Sequence, residues 1–119
     1  MIIKNYCVKS DLELNLIHFT PEANIDAPII IFIHQTGFVS NMDATVSAHL
    51  RGMNIFGLDL RSHGASEKGN VSDWAFLGND LFSVFESLKE KTGQKKFYGV
   101  GISSGSSALA LHASKHSAD

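Results

Sequence analysis

Gly101-Ile102-Ser103-Ser104-Gly105 sets a serine between two glycines in the spacing G-x-S-x-G. An apolar run, Phe97-Tyr98-Gly99-Val100, precedes it and a small-residue stretch rich in Ala and Ser follows. Strand, tight turn and helix is the context in which such a serine stands clear of a sheet with its hydroxyl exposed. The chemistry this permits is attack of the Ser103 hydroxyl on an acyl carbonyl. The backbone N–H of Ser104, at a helix start, would face the developing oxyanion. Gly101 and Gly105 fit such a turn because a Cβ at either place would crowd it or the helix start. The same stretch also reads as G-x-G-x-x-x-G from Gly99, with Asp119 twenty residues on. That is a near miss for a dinucleotide-binding fingerprint: Ser104 takes the place of the third glycine, and the motif lies on the fifth strand instead of the first.

Other reactive side chains carry weaker signals. His112 and His116 are one helical turn apart, as a metal pair can be, but no third ligand at a sensible spacing accompanies them. A solvated helix face is the expectation there, and no metal or cofactor is expected. The single cysteine, Cys7, lies in a strand-like run and reads as a small core hydrophobe. Trp74, Phe82 and Phe85 recur at helical spacing and read as core or near-core aromatics.

The elements that must position Ser103 follow from periodicity. Segments 2–8 and 12–19 are strand-like, and Leu12, Leu14 and Leu16 alternate with Glu13 and Asn15, as a half-buried strand requires. With the polar Lys9-Ser10-Asp11 between them they form an antiparallel hairpin. Ile29-Ile30-Ile31-Phe32-Ile33 has no polar face and is a strand covered on both sides. A polar loop, His34-Gln35-Thr36-Gly37-Phe38, follows it, and then a short helix over 43–50. Segment 54–60 is a second buried strand, running into the polar loop 61–70. Ser72 or Asp73 caps the clearest helix, in which Trp74, Leu77, Leu81, Val84, Phe85 and Leu88 form the apolar stripe and Asp80 falls off it. Thr92-Gly93 ends that helix. The fold class is therefore α/β: a hairpin and three strand–helix units, with a mainly parallel sheet flanked by helices on both faces.

Composition bounds the function. The chain has 119 residues, 44% hydrophobic and 18% charged, which suits one globular domain. A net charge of −2 and the lack of a basic cluster speak against nucleic acid. One cysteine forbids an internal disulfide and fits a reducing compartment. The N-terminus has no basic segment leading into a long apolar one, and the longest apolar run is far short of a span. A soluble, cytoplasmic protein without a membrane partner is the expectation.

Three stretches together resemble the α/β-hydrolase family over nearly the whole chain. His34-Gln35-Thr36-Gly37-Phe38 is similar to its H-G-x oxyanion loop. Asp59-Leu60-Arg61-Ser62-His63-Gly64-Ala65-Ser66 is similar to its D-x-R-G-x-G-x-S loop. Gly101-Ile102-Ser103-Ser104-Gly105 is similar to its nucleophile elbow. The resemblance implies a serine hydrolase of esterase type without cofactor or metal, acting on a small acyl substrate. Ser103 would be the nucleophile, with the N–H groups of Ser104 and of Gln35 or Thr36 as oxyanion hole. His34, Asp59, Arg61 and His63 would support the loops. The sequence departs from the pattern where Gln35 follows the histidine, where Ser62 replaces glycine, and at Ile102 and Ser106. In the family the acid and then the histidine follow the serine, so the resemblance covers an N-terminal half: residues 1–119 read as one incomplete domain, inactive or nearly so by itself. The strand before Ser103 is then expected at an open sheet edge, available to a C-terminal half or to a second copy. A non-catalytic or nucleotide-binding domain, or one half of a split hydrolase, is the alternative.

Overall fold

A computed structural model describes residues 3–34, 52–69, 74–101 and 104–115. Five strands form one sheet: β1 (Lys4–Lys9), β2 (Glu13–His18), β3 (Ile29–Ile33), β4 (Asn54–Asp59) and β5 (Phe97–Gly101). Two helices accompany them, α1 (Trp74–Thr92) and α2 (Ser104–Lys115). The strand order is β1-β2-β4-β3-β5. β1 and β2 are an antiparallel hairpin, and β2 is antiparallel to β4. β3 runs parallel to both β4 and β5, in the register Ile31↔Phe56 and Ile31↔Gly99.

The two faces of the sheet differ. On one, Leu14, Leu16, Ile29, Ile31, Ile33, Phe56 and Leu58 pack with Leu81, Val84 and Leu88 of α1 and with Ala108 of α2. Area removed from water by such a cluster is the main favourable term in the fold. On the other, Ile17, Phe19, Phe32 and Ile55 cluster with the half-buried Ile30 and Met53. Both described helices thus cover the same face, and the helix expected over 43–50 lies outside the described residues. β3 and β4 are apolar on both sides because both sides are covered, as their sequences require.

Helix α1 ends at a glycine in the left-handed region: Gly93 has φ 73°, and its N–H donates to the Lys89 carbonyl at 2.9 Å. This C-terminal cap closes one of the helix's open carbonyls, and Lys89 and Lys91 in the last turn suit the helix dipole.

Four side chains depart from the sequence reading. Cys7 is exposed, because Tyr6 and Val8 turn toward the helices and the intervening residue faces the other side of the outer strand β1. Asp80 is fully buried, although it reads as an off-stripe residue. Phe82 is 41% exposed instead of near-core. His112 does not lie on a solvated face; it is half-buried with its ring 4.8 Å from that of Phe85. The side chain of Trp74 and the whole of His116 lie outside what is described.

Candidate functional site

The residues with chemistry gather at the carboxyl ends of β3 and β4. This is where open α/β sheets bind ligands. Segment 60–69, which follows β4, is held by its own side chains. The Asp59 carboxylate accepts from the Ala65 N–H at 3.1 Å and from Asn15 Nδ2 across the sheet at 3.0 Å. The Ser66 hydroxyl donates to the Asp59 carbonyl and accepts from the Asn15 N–H at 2.7 Å. Gly64 sits at φ 51° directly over the Asp59 carboxylate; a Cβ there would lie 2.5 Å from the carboxyl carbon. Asp59, Gly64 and Ser66, three fixed letters of the loop motif, are therefore parts of one clamp between β4, its loop and β2.

Arg61 supplies a second clamp. It is 1% exposed, and its guanidinium makes a bidentate pair with Asp80 of α1, Nε to Oδ2 at 2.7 Å and Nη2 to Oδ1 at 2.8 Å. Nη2 also donates to Asp11 in the β1–β2 turn, and the guanidinium lies 4.9 Å over the Phe76 ring. The hydrogen bonds donated to Asp80, outweighing desolvation, raise the Arg61 pKa further above its ordinary range. Asp80 and Asp11 were not singled out from sequence. The available signal was spacing: Asp80 is three residues beyond Leu77 and four before Val84, on the buried side of α1, where a carboxylate needs a cation.

His34 and His63 stand at the head of the site, ring centroids 5.1 Å apart and tilted by 56°. His34 is buried, and its Nε2 accepts the Leu60 N–H at 2.9 Å. His63 bonds through Nδ1 to the Arg61 carbonyl at 2.9 Å, so Nδ1 carries the proton in that contact.

At the other flank, α2 begins at Ser104, a short way along the chain from the end of β5 at Gly101. Its second residue, Gly105, is pressed onto the end of β3. A Cβ at Gly105 would lie 2.1 Å from the Ile33 carbonyl oxygen and 2.8 Å from that of His34. No side chain fits there, which gives the second glycine of G-x-S-x-G a steric cause. Gln35, Thr36 and Ser103 lie outside the described residues. The structure thus brings together His34, Asp59, Arg61 and His63 and the start of α2. No group of three His, Cys, Asp or Glu among the described residues could hold a metal ion, and none of the described helices is long and apolar enough to cross a membrane.

No family model matches the sequence, and no curated protein matches it. Solved structures do. A putative aryl esterase from Burkholderia cenocepacia superposes with a TM-score of 0.78 at 23% identity, over 95% of this chain and 42% of that one. Naproxen esterase from Bacillus subtilis gives 0.77 at 19% identity, over 96% and 39%. A haloalkane dehalogenase variant from Bradyrhizobium elkanii gives 0.80 at 17% identity, over 96% and 36%. The chain spans about two fifths of the length of these structures. Their chemistries differ while their architecture is shared, and with the sheet order and the glycine-seated helix described above, nearly all of this chain forms a part of the α/β-hydrolase fold.

Proposed function

We propose that the chain is the nucleophile-bearing part of a serine hydrolase acting on a small acyl substrate. Ser103 Oγ attacks the acyl carbonyl, and the negative charge formed on the carbonyl oxygen is held by the N–H of Ser104 and by that of Gln35 or Thr36. A histidine oriented by an acid takes the serine proton and returns it to the leaving group; water, activated by the same histidine, then attacks the acyl-enzyme, the bond from the acyl carbon to Ser103 Oγ breaks, and the acid leaves as the serine regains its proton. Both partners are taken from sequence other than these 119 residues. His34 is not the base in this reading, since its Nε2 already accepts the Leu60 N–H. Its place, with Asp59, Arg61 and His63, is to hold the two loops.

The observation that carries the proposal is the seat of Gly105 on the carbonyls of Ile33 and His34. It supports a β5–α2 junction that abuts the loop beginning at Gln35, and hence an oxyanion pocket between them. The test is labelling by a fluorophosphonate probe in the protein completed by a C-terminal hydrolase half, fused or added in trans. Labelling lost in Ser103→Ala is the expected outcome. The 119-residue chain alone should label very slowly, because loss of the histidine in a serine protease costs about a million-fold in turnover. Robust hydrolysis by the short chain, abolished in His34→Ala, would overturn the assignment and make His34 the base.

A further inference from the structure

We infer that a cleft at the end of the sheet away from Gly105 binds a small aromatic acid, a single ring bearing one carboxylate. The cleft lies on the helix-covered face, between the start of β1, the end of β2, the start of β4 and the last turn of α1. Its volume is about 190 Å³. Pockets for drug-sized ligands run from about 300 to about 1,000 Å³, so this one has room for one ring and not for an extended molecule. Nothing in the inference depends on Ser103 or on a hydrolase reaction.

Two stacked rings and two cations line it. The His18 ring lies on Phe56, centroids 4.1 Å apart and planes 11° from parallel, and Asn54 fixes it through the 3.2 Å bond to Nε2. Such a stack is a flat, rigid wall against which a further ring packs. Beside it the Lys91 ammonium sits 4.6 Å over the Tyr6 ring, a cation–π contact that holds the charge at the cleft. Lys4 is paired with His18 across β1 and β2, and its charge acts on that ring. Neither lysine has an ion pair among the described residues. One carboxylate, the exposed Glu22, also acts on His18, and it pairs with neither lysine. The remaining wall is apolar and held in place. Ile25 lines it and is 56% exposed, a large apolar side chain left in water. Its segment is pinned from two sides: Asn54 Nδ2 donates to the carbonyls of Asn24 and Ala27, and Gln94 Nε2 to those of Ile25 and Ala27. The cleft therefore needs little ordering when a ligand enters. The apolar wall favours a ring, and the two lysines favour a carboxylate. A dianionic phosphate fits worse, because the helix end here is a C-terminus, whose carbonyls oppose negative charge, and no helix N-terminus lines the cleft.

The experiment is a benzoate titration of the full chain at fixed protein concentration, followed by NMR through the backbone amides and the His18 ring. The expected result is saturable shifts at residues lining the cleft, Tyr6, His18, Ile25 and Lys91 among them, with a Kd of about 0.1–5 mM. Benzamide, a similar ring without the charge, should bind at least about fivefold more weakly, and benzoate should weaken as much in Lys4→Met with Lys91→Met. Raising the salt from about 0.05 M to about 0.5 M should weaken benzoate and leave benzamide unchanged. Both lysines are exposed, so the double variant should keep the wild-type unfolding midpoint; if it does not fold, the comparison with benzamide decides. Inorganic phosphate separates a ring site from a bare pair of cations, and phosphate binding as tight as that of benzoate would overturn the aromatic assignment. Equal affinity for benzoate and benzamide would overturn the role of the lysines. No saturation at the cleft residues by about 20 mM benzoate, or shifts confined to the other end of the sheet, would overturn the site itself.

Discussion

Ser62 holds φ 67°, the left-handed conformation that glycine adopts without cost, at the position where the loop motif has glycine. Its hydroxyl offsets part of the strain by bridging to Gly69, donating to the carbonyl at 3.0 Å and accepting the N–H at 2.9 Å. Ser62→Ala and Ser62→Gly both lose that bridge, but only glycine relieves the backbone. Urea unfolding should therefore find the glycine variant more stable than the alanine variant by about 0.5–1 kcal/mol. This departure was visible in the sequence; its meaning was not, because a left-handed φ is set by the turn and not by residue type. His18 yields a second prediction at this scale. Asn54 Nδ2 donates to the carbonyls of Asn24 and Ala27, so its Oδ1 accepts from His18 Nε2–H at 3.2 Å, while the His18 ring stacks on Phe56 at 4.1 Å. Burial first of all lowers the His18 pKa below 6.5; Lys4 adds to this, and Asn54 and Glu22 oppose it. The unfolded chain then binds more protons than the folded one as the pH falls below about 6.5, so acid costs stability there. His18→Gln should flatten the fall in the urea midpoint between about pH 7 and about pH 5.5. An unchanged slope would remove His18 from the account.

Helix α1 is tied into the fold by one charged residue on an otherwise apolar face. The stripe of Leu77, Leu81, Val84, Phe85 and Leu88 was legible from its spacing, and so were all five strands, whose boundaries shift by a residue or two. The buried Asp80 was not, because hydrophobic periodicity scores a carboxylate as solvent-facing wherever it falls. Only the structure shows that it faces Arg61, which in turn reaches Asp11, so that α1, the loop after β4 and the hairpin turn share one guanidinium. Removing Asp80 takes the bidentate, fully buried partner from a buried guanidinium and leaves it the half-exposed Asp11. Asp80→Asn should cost about 3–5 kcal/mol by denaturant unfolding. The paired replacement Arg61→Met with Asp80→Leu fills the space without charge and should recover at least about 2 kcal/mol of that loss. Additive losses in the double variant would mean that packing by Arg61 over Phe76, and not charge pairing, is what holds the helix.

Among the described strands β5 has one neighbour, β3, and so forms an edge of the sheet, as the sequence led one to expect. Its face away from the helices is apolar and open: Tyr98 is 51% exposed and Val100 41%, beside Ile30 and Phe32 of β3. The sequence could not reveal this exposure, since an apolar run reads the same whether or not a further layer covers it. An edge strand with unpaired backbone groups and apolar side chains templates association with another strand. The structures with the same architecture are more than twice as long as the part this chain matches, and we propose that a further strand, from a longer partner or a second copy of this chain, pairs with this edge. The 119-residue chain should therefore sediment as a concentration-dependent mixture of monomer and larger species. Tyr98→Lys with Val100→Lys sets charges of one sign along that edge without touching the buried core, and should shift the mixture to monomer while leaving the unfolding midpoint of the monomer nearly unchanged. A wild-type chain that stays monomeric at every concentration would show that the β5 edge is not an association surface. Self-association that survives both lysines would move the contact to another part of the molecule.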